Sequence, residues 1–439
     1  MNGSLFNRID LLAVPAVLLL IILVMYIYRK KQPAETKPYF FKAFFLRVLG
    51  TLSLSAIVEF YYGVGDTYQY YYNAQLLRKE FFAHPLTWLK LIFQSPGSGT
   101  AEMTAYLDTA GDYSVLTRAV FENSQNAATC KIASLFNLIC FDSSLGIALF
   151  FGTLSFLGCW YIYKTFVHIY PGYEKQFAWF CLFLPSLWFW GSGILKDPIC
   201  VFGLGLLLYN FFVRRPSLLK RILLISLGAF LLLQIKPYIF YAFSVAAVLG
   251  PALTYFRKVN FISKSLIIIV FAGILVIAYP LLLSLVTDSF DQVLKESKSF
   301  LHEYNRQSSE GDANFLPSLD PTPLGFAKLA VQGFFTVYLR PFPWELKKVL
   351  YLFLIMENIL LYYIILKRIK KGPLLFKKNY RRLANFSLVF FIFMGIIVGV
   401  TAFNFGTIAR YRVPALPFLF AGIFAIKLAK RCRRAESAL

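Results

Sequence analysis

Histidine is nearly missing from this chain: His84, His168 and His302 are the only three in 439 residues, and none is near another in sequence. A histidine-built metal centre is therefore not expected. The six cysteines show no metal-ligand spacing and no Cys-x-x-Cys pair, so neither zinc nor dithiol chemistry is signalled. Cys130 and Cys140 are spaced for an amphipathic helix as readily as for an external disulfide. Charge is scarce as well, at 15% of residues, and acids are scarcer than bases, 22 against 45. No linker, low-complexity tract or internal repeat stands out. What remains is 58% hydrophobic and 18% aromatic, with a mean hydropathy of +0.61. That excludes an ordinary soluble domain and points to a chain whose solvent is largely lipid. The net charge of +23 is then read as charge sorting between loops, with no nucleic-acid partner expected.

The apolar runs predict an all-α polytopic membrane protein of about eleven spans, near 11–28, 42–60, 143–164, 176–192, 197–213, 221–235, 237–256, 265–286, 349–366, 384–403 and 412–429. The first run carries Arg29, Lys30 and Lys31 behind it and no small-residue cleavage site, so it reads as a retained helix with its N-terminus outside. Alternation from there sends the dense basic loops, among them "RRPSLLKR" and "KRIKKGPLLFKKNYRR", to the inner side. The chain is read as one membrane domain, 1–439, with two large outer loops at 61–142 and 287–348. "DTYQYYYNAQLLRKEFFAHPLTWLKLIF" alternates at helical spacing and predicts amphipathic helices lying on the membrane surface. "PLGFAKLAVQGFFTVYL", 323–339, is expected to be re-entrant or surface-lying, because another span here would place the basic loop 367–382 outside.

Ionisable residues gather where the spans meet the outer side. Asp66 follows the second span in "GVGDTYQYYYNA", where it suits either a general base or a helix N-cap. In "FWGSGILKDPI", Lys196 and Asp197 are adjacent and cannot pair across a helix turn, so each needs another partner. Here too an Asp N-cap and a snorkelling lysine are the plainer reading. Lys236 sits in the short hairpin "LLLQIKPYIF", as an interfacial anchor or an anion ligand. Arg340 in "VYLRPFPWE" and Arg410 and Arg412 in "ARYRVPALP" offer rigid forks for phosphate oxygens. Pro414 and Pro417 would break a span there, which is tolerated mainly where a helix lines a cavity. The collection suggests chemistry on a lipid-linked phosphate or pyrophosphate.

"GDTYQYYYNA" after an early span resembles the first outer loop of the GT-C class of integral-membrane glycosyltransferases. "RYRVPALPFLFAGIFA" resembles the Arg-Tyr-x-x-Pro-x-x-Pro run of its protein-mannosyltransferase-like branch. The resemblance implies transfer of a sugar from a polyprenyl-phosphate donor to a lipid-linked, protein or glycan acceptor, at the outer face of a bacterial inner membrane. It implies Asp66 as catalytic base and Lys196, Lys236, Arg340 and Arg410 as candidates for the donor phosphate. Tyr68, Tyr70, Tyr71, Asp197, Trp344, Tyr411 and Arg412 would then contact substrate. The chain departs from the pattern in its extra first helix and in lacking a second acidic pair after Asp66, so a divalent metal is compatible but not signalled. Two rivals stand beside this reading. An O-antigen-type polymerase or ligase would rest on Arg340, Arg410 and Arg412, and a transporter would place ionisable groups deep within its spans.

Overall fold

The computed structural model describes residues 4–94, 123–213, 217–256, 323–346, 349–369, 381–402, 405–419 and 421. Among them the regular elements are helical, with no strand. In chain order they are α1 (Asp10–Lys30), α2 (Lys37–Ile57), α3 (Asp66–Ala83), α4 (Pro85–Phe93), α5 (Ser124–Cys140), α6 (Ser144–Ile169), α7 (Glu174–Ala178) and α8 (Pro185–Phe189). There follow α9 (Lys196–Phe212), α10 (Leu218–Ile235), α11 (Pro237–Phe256), α12 (Pro323–Leu339), α13 (Val349–Ile369), α14 (Arg381–Thr401) and α15 (Phe405–Tyr411). Starts are set by local chemistry: Asn123 accepts hydrogen bonds from the Gln125 and Asn126 amides, and Ser143 accepts one from Gly146.

Six helices among the described residues are long and apolar enough to cross a membrane: α1, α2 with its π turn Val58–Tyr62, α6, α10, α11 and α14. The protein is thus a helical membrane protein by length and composition. The expected span at 265–286, parts of both outer loops and the chain beyond 421 lie outside the described residues. Cys130 and Cys140 both stand in α5 as free, buried thiols.

Helix α9 is the centre of the bundle, packed on α6 and α10. A Cβ on Gly205 would lie 2.3 Å from the Gly158 carbonyl oxygen of α6, and one on Gly228 of α10 would lie 2.7 Å from the Gly203 carbonyl oxygen. Backbones touch at both crossings, which only glycine permits. Lipid tails offer no hydrophobic drive between helices, so such close approach supplies the association.

The segment read as a span at 176–192 is not one helix. It runs as α7, a π turn Trp179–Phe183, an extended Leu184 and the short α8. Pro185 causes the break, since it has no N–H to donate and forces the preceding residue out of the helical region. Helix α8 then ends after five residues, and carbonyls left open at its end need donors at membrane depth. Arg47, 2% exposed in mid-α2, supplies them: its Nη1 donates to the carbonyls of Leu187 and Gly191 and, at 2.9 Å, to Ser155 Oγ.

Helix α12 does not run the length of α14. Gly333 meets Gly399 near the C-terminal end of α14, while Tyr338 stacks on Phe391 at the middle of α14, ring centroids 3.9 Å apart. Helix α12 therefore ends about half-way along its neighbour, and the chain turns back into α13. Asn358 Nδ2 donates to the Pro341 carbonyl at 3.4 Å, and the Tyr362 hydroxyl donates to that of Leu339.

Candidate active site

The end of α2, the starts of α3 and α9, the α10–α11 turn and α15 meet at one end of the bundle. Asp66 is the first residue of α3. The cap position before it belongs to Gly65, whose φ of +124° suits glycine, and no side chain caps the helix. The N-cap reading of Asp66 is thus replaced: its carboxylate, 53% exposed, reaches towards Arg410, with Oδ2 3.7 Å from Nη2.

Asp197 is not a cap either, because the cap position is Leu195. Its carboxylate is 1% exposed and doubly engaged. Lys236 Nζ donates to Oδ1 at 2.6 Å, and Arg410 donates to Oδ2 from Nε at 3.4 Å and Nη2 at 3.3 Å. The adjacent Lys196 and Asp197 have the separate surroundings their spacing demands. Lys196, half-buried, interacts electrostatically with Asp66.

Lys236 is only 3% exposed, so it does not snorkel to water as an interfacial anchor would. Its ammonium lies 3.8 Å from the centroid of the Tyr411 ring. Burial opposes its charge, but Asp197 outweighs that and holds it above the ordinary lysine range. Arg410 is the cation of this cluster that joins the buried Asp197 to the half-exposed Asp66.

The tyrosines divide by helical period. Tyr70, one turn beyond Asp66, faces the cluster, interacts with Asp66 and Arg410, and donates to Asn126 Oδ1 at 3.1 Å. Tyr68 and Tyr71 share a different face. The Tyr68 hydroxyl donates to Glu59 Oε2 at 2.6 Å, and that of Tyr71 to the Asp142 carbonyl at 2.6 Å. Burial and then Glu59 push the Tyr68 phenol up to about 12.

The remaining candidates lie elsewhere. Arg412, two residues from Arg410, points the other way and is 1% exposed. It donates to Asn358 Oδ1 at 2.7 Å and to the Val337 carbonyl at 3.2 Å, and pairs with Glu357 at 3.4 Å. It closes the C-terminal end of α12. Arg340 pairs with Glu345 in the turn after α12, and Trp344 of that turn is 80% exposed. Sequence reasoning missed Tyr238, whose ring lies 6.2 Å from that of Tyr411 and whose buried hydroxyl has no hydrogen-bond partner among the described residues. Its signal was available in "KPY". No group of three His, Cys, Asp or Glu side chains fit to hold a metal occurs among the described residues.

A cavity of about 410 Å³ opens between α2, the broken segment and α13. Trp188, Trp190, Phe353 and Leu354 make its walls apolar, with Ser186 and Glu357 as polar lining. Glu357 is tied down by the Ser186 amide at 2.9 Å and hydroxyl at 2.7 Å. The wall runs on through Gly191 and Gly193 into Lys196 and Asp197, so the cavity and the charged cluster share one segment. No family model, curated protein or solved structure matches this chain. The arrangement itself offers a reachable carboxylate, two cations beside it, and an apolar cavity in the adjoining wall.

Proposed function

We propose that this protein is a membrane glycosyltransferase that moves a sugar from a polyprenyl-phosphate donor to an acceptor at the outer face of a bacterial inner membrane. The observation that carries the reading is the half-exposed Asp66 carboxylate 3.7 Å from Arg410, which the buried Asp197 holds from behind. In the reaction, Asp66 takes the proton of an acceptor hydroxyl as its oxygen bonds to the anomeric carbon. The bond from that carbon to the phosphate oxygen breaks, and the electron pair leaves with the lipid phosphate. Arg410 and Lys196 stabilise that charge. Lys236, locked against Asp197, is a positioning residue in this scheme. The cavity of about 410 Å³ receives the head-proximal part of the prenyl chain. About eleven spans with α12 as a re-entrant helix complete the architecture, the basic turns lying inside.

Two observations rank the rivals lower. An arginine-centred polymerase needs Arg412 within reach of substrate, yet its side chain is 0% exposed and engaged with Glu357. A transporter needs labile charges at depth, whereas Arg47 and the Arg412–Glu357 pair each fasten the backbone of a broken or half-length helix. The test is to supply membranes carrying this protein with polyprenyl-phosphate-linked sugars. Release of free lipid phosphate with matching glycosylation of an acceptor is expected. No release from any donor, above membranes without the protein, would set the transferase reading aside.

A further inference from the structure

A second concave site lies away from the charged cluster, in the turn between α12 and α13. It is a groove of about 520 Å³, lined by Gln332, Thr336, Arg340, Glu345, Phe342 and Trp344 among others. The turn is rigid. Glu345 accepts from Arg340 Nε at 2.9 Å and from the Phe342 amide at 2.8 Å, while Asn358 and Tyr362 hold the carbonyls of Pro341 and Leu339. On this frame the rings of Phe342 and Trp344 stack at 4.8 Å and 17°, which fixes the plane of Trp344 and leaves it 80% exposed.

We infer that this groove is a saccharide subsite, in which Trp344 is the stacking platform for a sugar ring of the acceptor glycan. Pyranose rings present an apolar face of C–H groups edged by hydroxyls. The groove matches that pairing, an aromatic plane bordered by donors and acceptors on Gln332, Thr336, Arg340 and Glu345. An acyl chain laid there would cover the exposed Gln332 amide without offering it a hydrogen bond, which disfavours a lipid tail as occupant. Pre-ordering of the turn keeps the entropic cost of binding low. The groove also connects to the reaction centre: the Arg340 guanidinium lies 5.3 Å from the ring of Phe405, the first residue of α15, and Arg410 is in the last turn of that helix. A glycan stacked on Trp344 would thus be held one short helix from Asp66. This inference rests on the transferase reading for the identity of the glycan as acceptor, but saccharide binding is measurable without turnover.

The experiment is saturation-transfer NMR on the full chain in sugar-free nanodiscs, with neutral trisaccharides of glucose, mannose and N-acetylglucosamine as probes. At least one should receive transfer at its ring C–H protons. Trp344→Ala should weaken binding roughly tenfold, the scale of one aromatic stacking contact, while Trp344→Tyr retains most of it. Absence of transfer from all three probes, or transfer equal in wild type and Trp344→Ala, overturns the subsite. So does absence of transfer combined with quenching of Trp344 by brominated lipids, read as the difference between wild type and Trp344→Phe, which would make Trp344 a membrane anchor. Trp344-dependent binding in a protein that releases no lipid phosphate would keep the subsite and remove the transferase reading, so the two failures are distinguishable.

Discussion

The buried pair of Asp197 and Lys236 supports a prediction with a clear sign. Both side chains are almost fully enclosed, 1% and 3% exposed, and their contact is 2.6 Å. Asp197→Leu leaves the ammonium of Lys236 buried, with the neutral side chains of Tyr238 and Tyr411 as neighbours in the cluster. Breaking a buried pair from one side costs about 3–5 kcal/mol, because the surviving charge stays out of water. Lys236→Met should cost less than Asp197→Leu, since Arg410 still answers Asp197 at 3.3 Å. Replacing both, Asp197→Leu with Lys236→Met, removes two desolvated charges at once and should be close to neutral, as such swaps often are. Arg410 keeps Asp66 as a partner in that background. The cycle therefore predicts a coupling of several kcal/mol. The assay is reversible unfolding in mixed micelles with increasing SDS, followed by tryptophan fluorescence. A double variant whose loss equals the sum of the two single losses would refute the reasoning, because the side chains would then not depend on each other.

Three further outcomes follow from the same geometry. Arg47→Leu removes the donor for the carbonyls of the broken segment and should cost at least about 2–3 kcal/mol in the same unfolding assay, the scale of charge-assisted hydrogen bonds left unmade. Gly205→Val would drive a side chain into the Gly158 carbonyl at a 2.3 Å approach. It should abolish monodisperse protein on size-exclusion chromatography, whereas Gly172→Ala, in open space at φ +84°, should cost only about 1 kcal/mol. Leu354→Trp narrows the apolar cavity and should weaken binding of a polyprenyl phosphate about tenfold or more while leaving inorganic phosphate binding unchanged, as read by isothermal calorimetry.

Much of the site was legible because spans alternate. Asp66, the adjacent Lys196 and Asp197, Lys236 and Arg410 come from four separate segments, yet each falls at the end of an apolar run. A chain threaded back and forth must bring such ends to one side. The fate of individual residues was less legible. The i, i+4 relation of Asp66 to Tyr70, against the i, i+3 relation of Tyr68 to Tyr71, separates the tyrosines, and that period was there to be read. Arg412 carries the same side chain as Arg410, but a step of two residues turns it towards Glu357 instead. Arg47 gave no signal beyond being a cation inside an apolar run, because its partners are carbonyls left open by the early end of α8. The continuous hydrophobicity of 176–192 concealed that break, although "LFLPSLW" held the proline that causes it. Close backbone crossings at Gly158 and Gly205 depend on pairing between helices, which no single segment encodes.

The most direct test of the central claim is turnover with Asp66→Asn against wild type, in nanodiscs supplied with a polyprenyl-phosphate-linked sugar and scored for free lipid phosphate. Donor binding is measured on the same samples. A fall in turnover of at least about a hundredfold with donor affinity within about threefold of wild type is the predicted result, the scale of a lost general base. Turnover equal to that of wild type would contradict the account, and Asp66 would then be only the outer partner of Arg410.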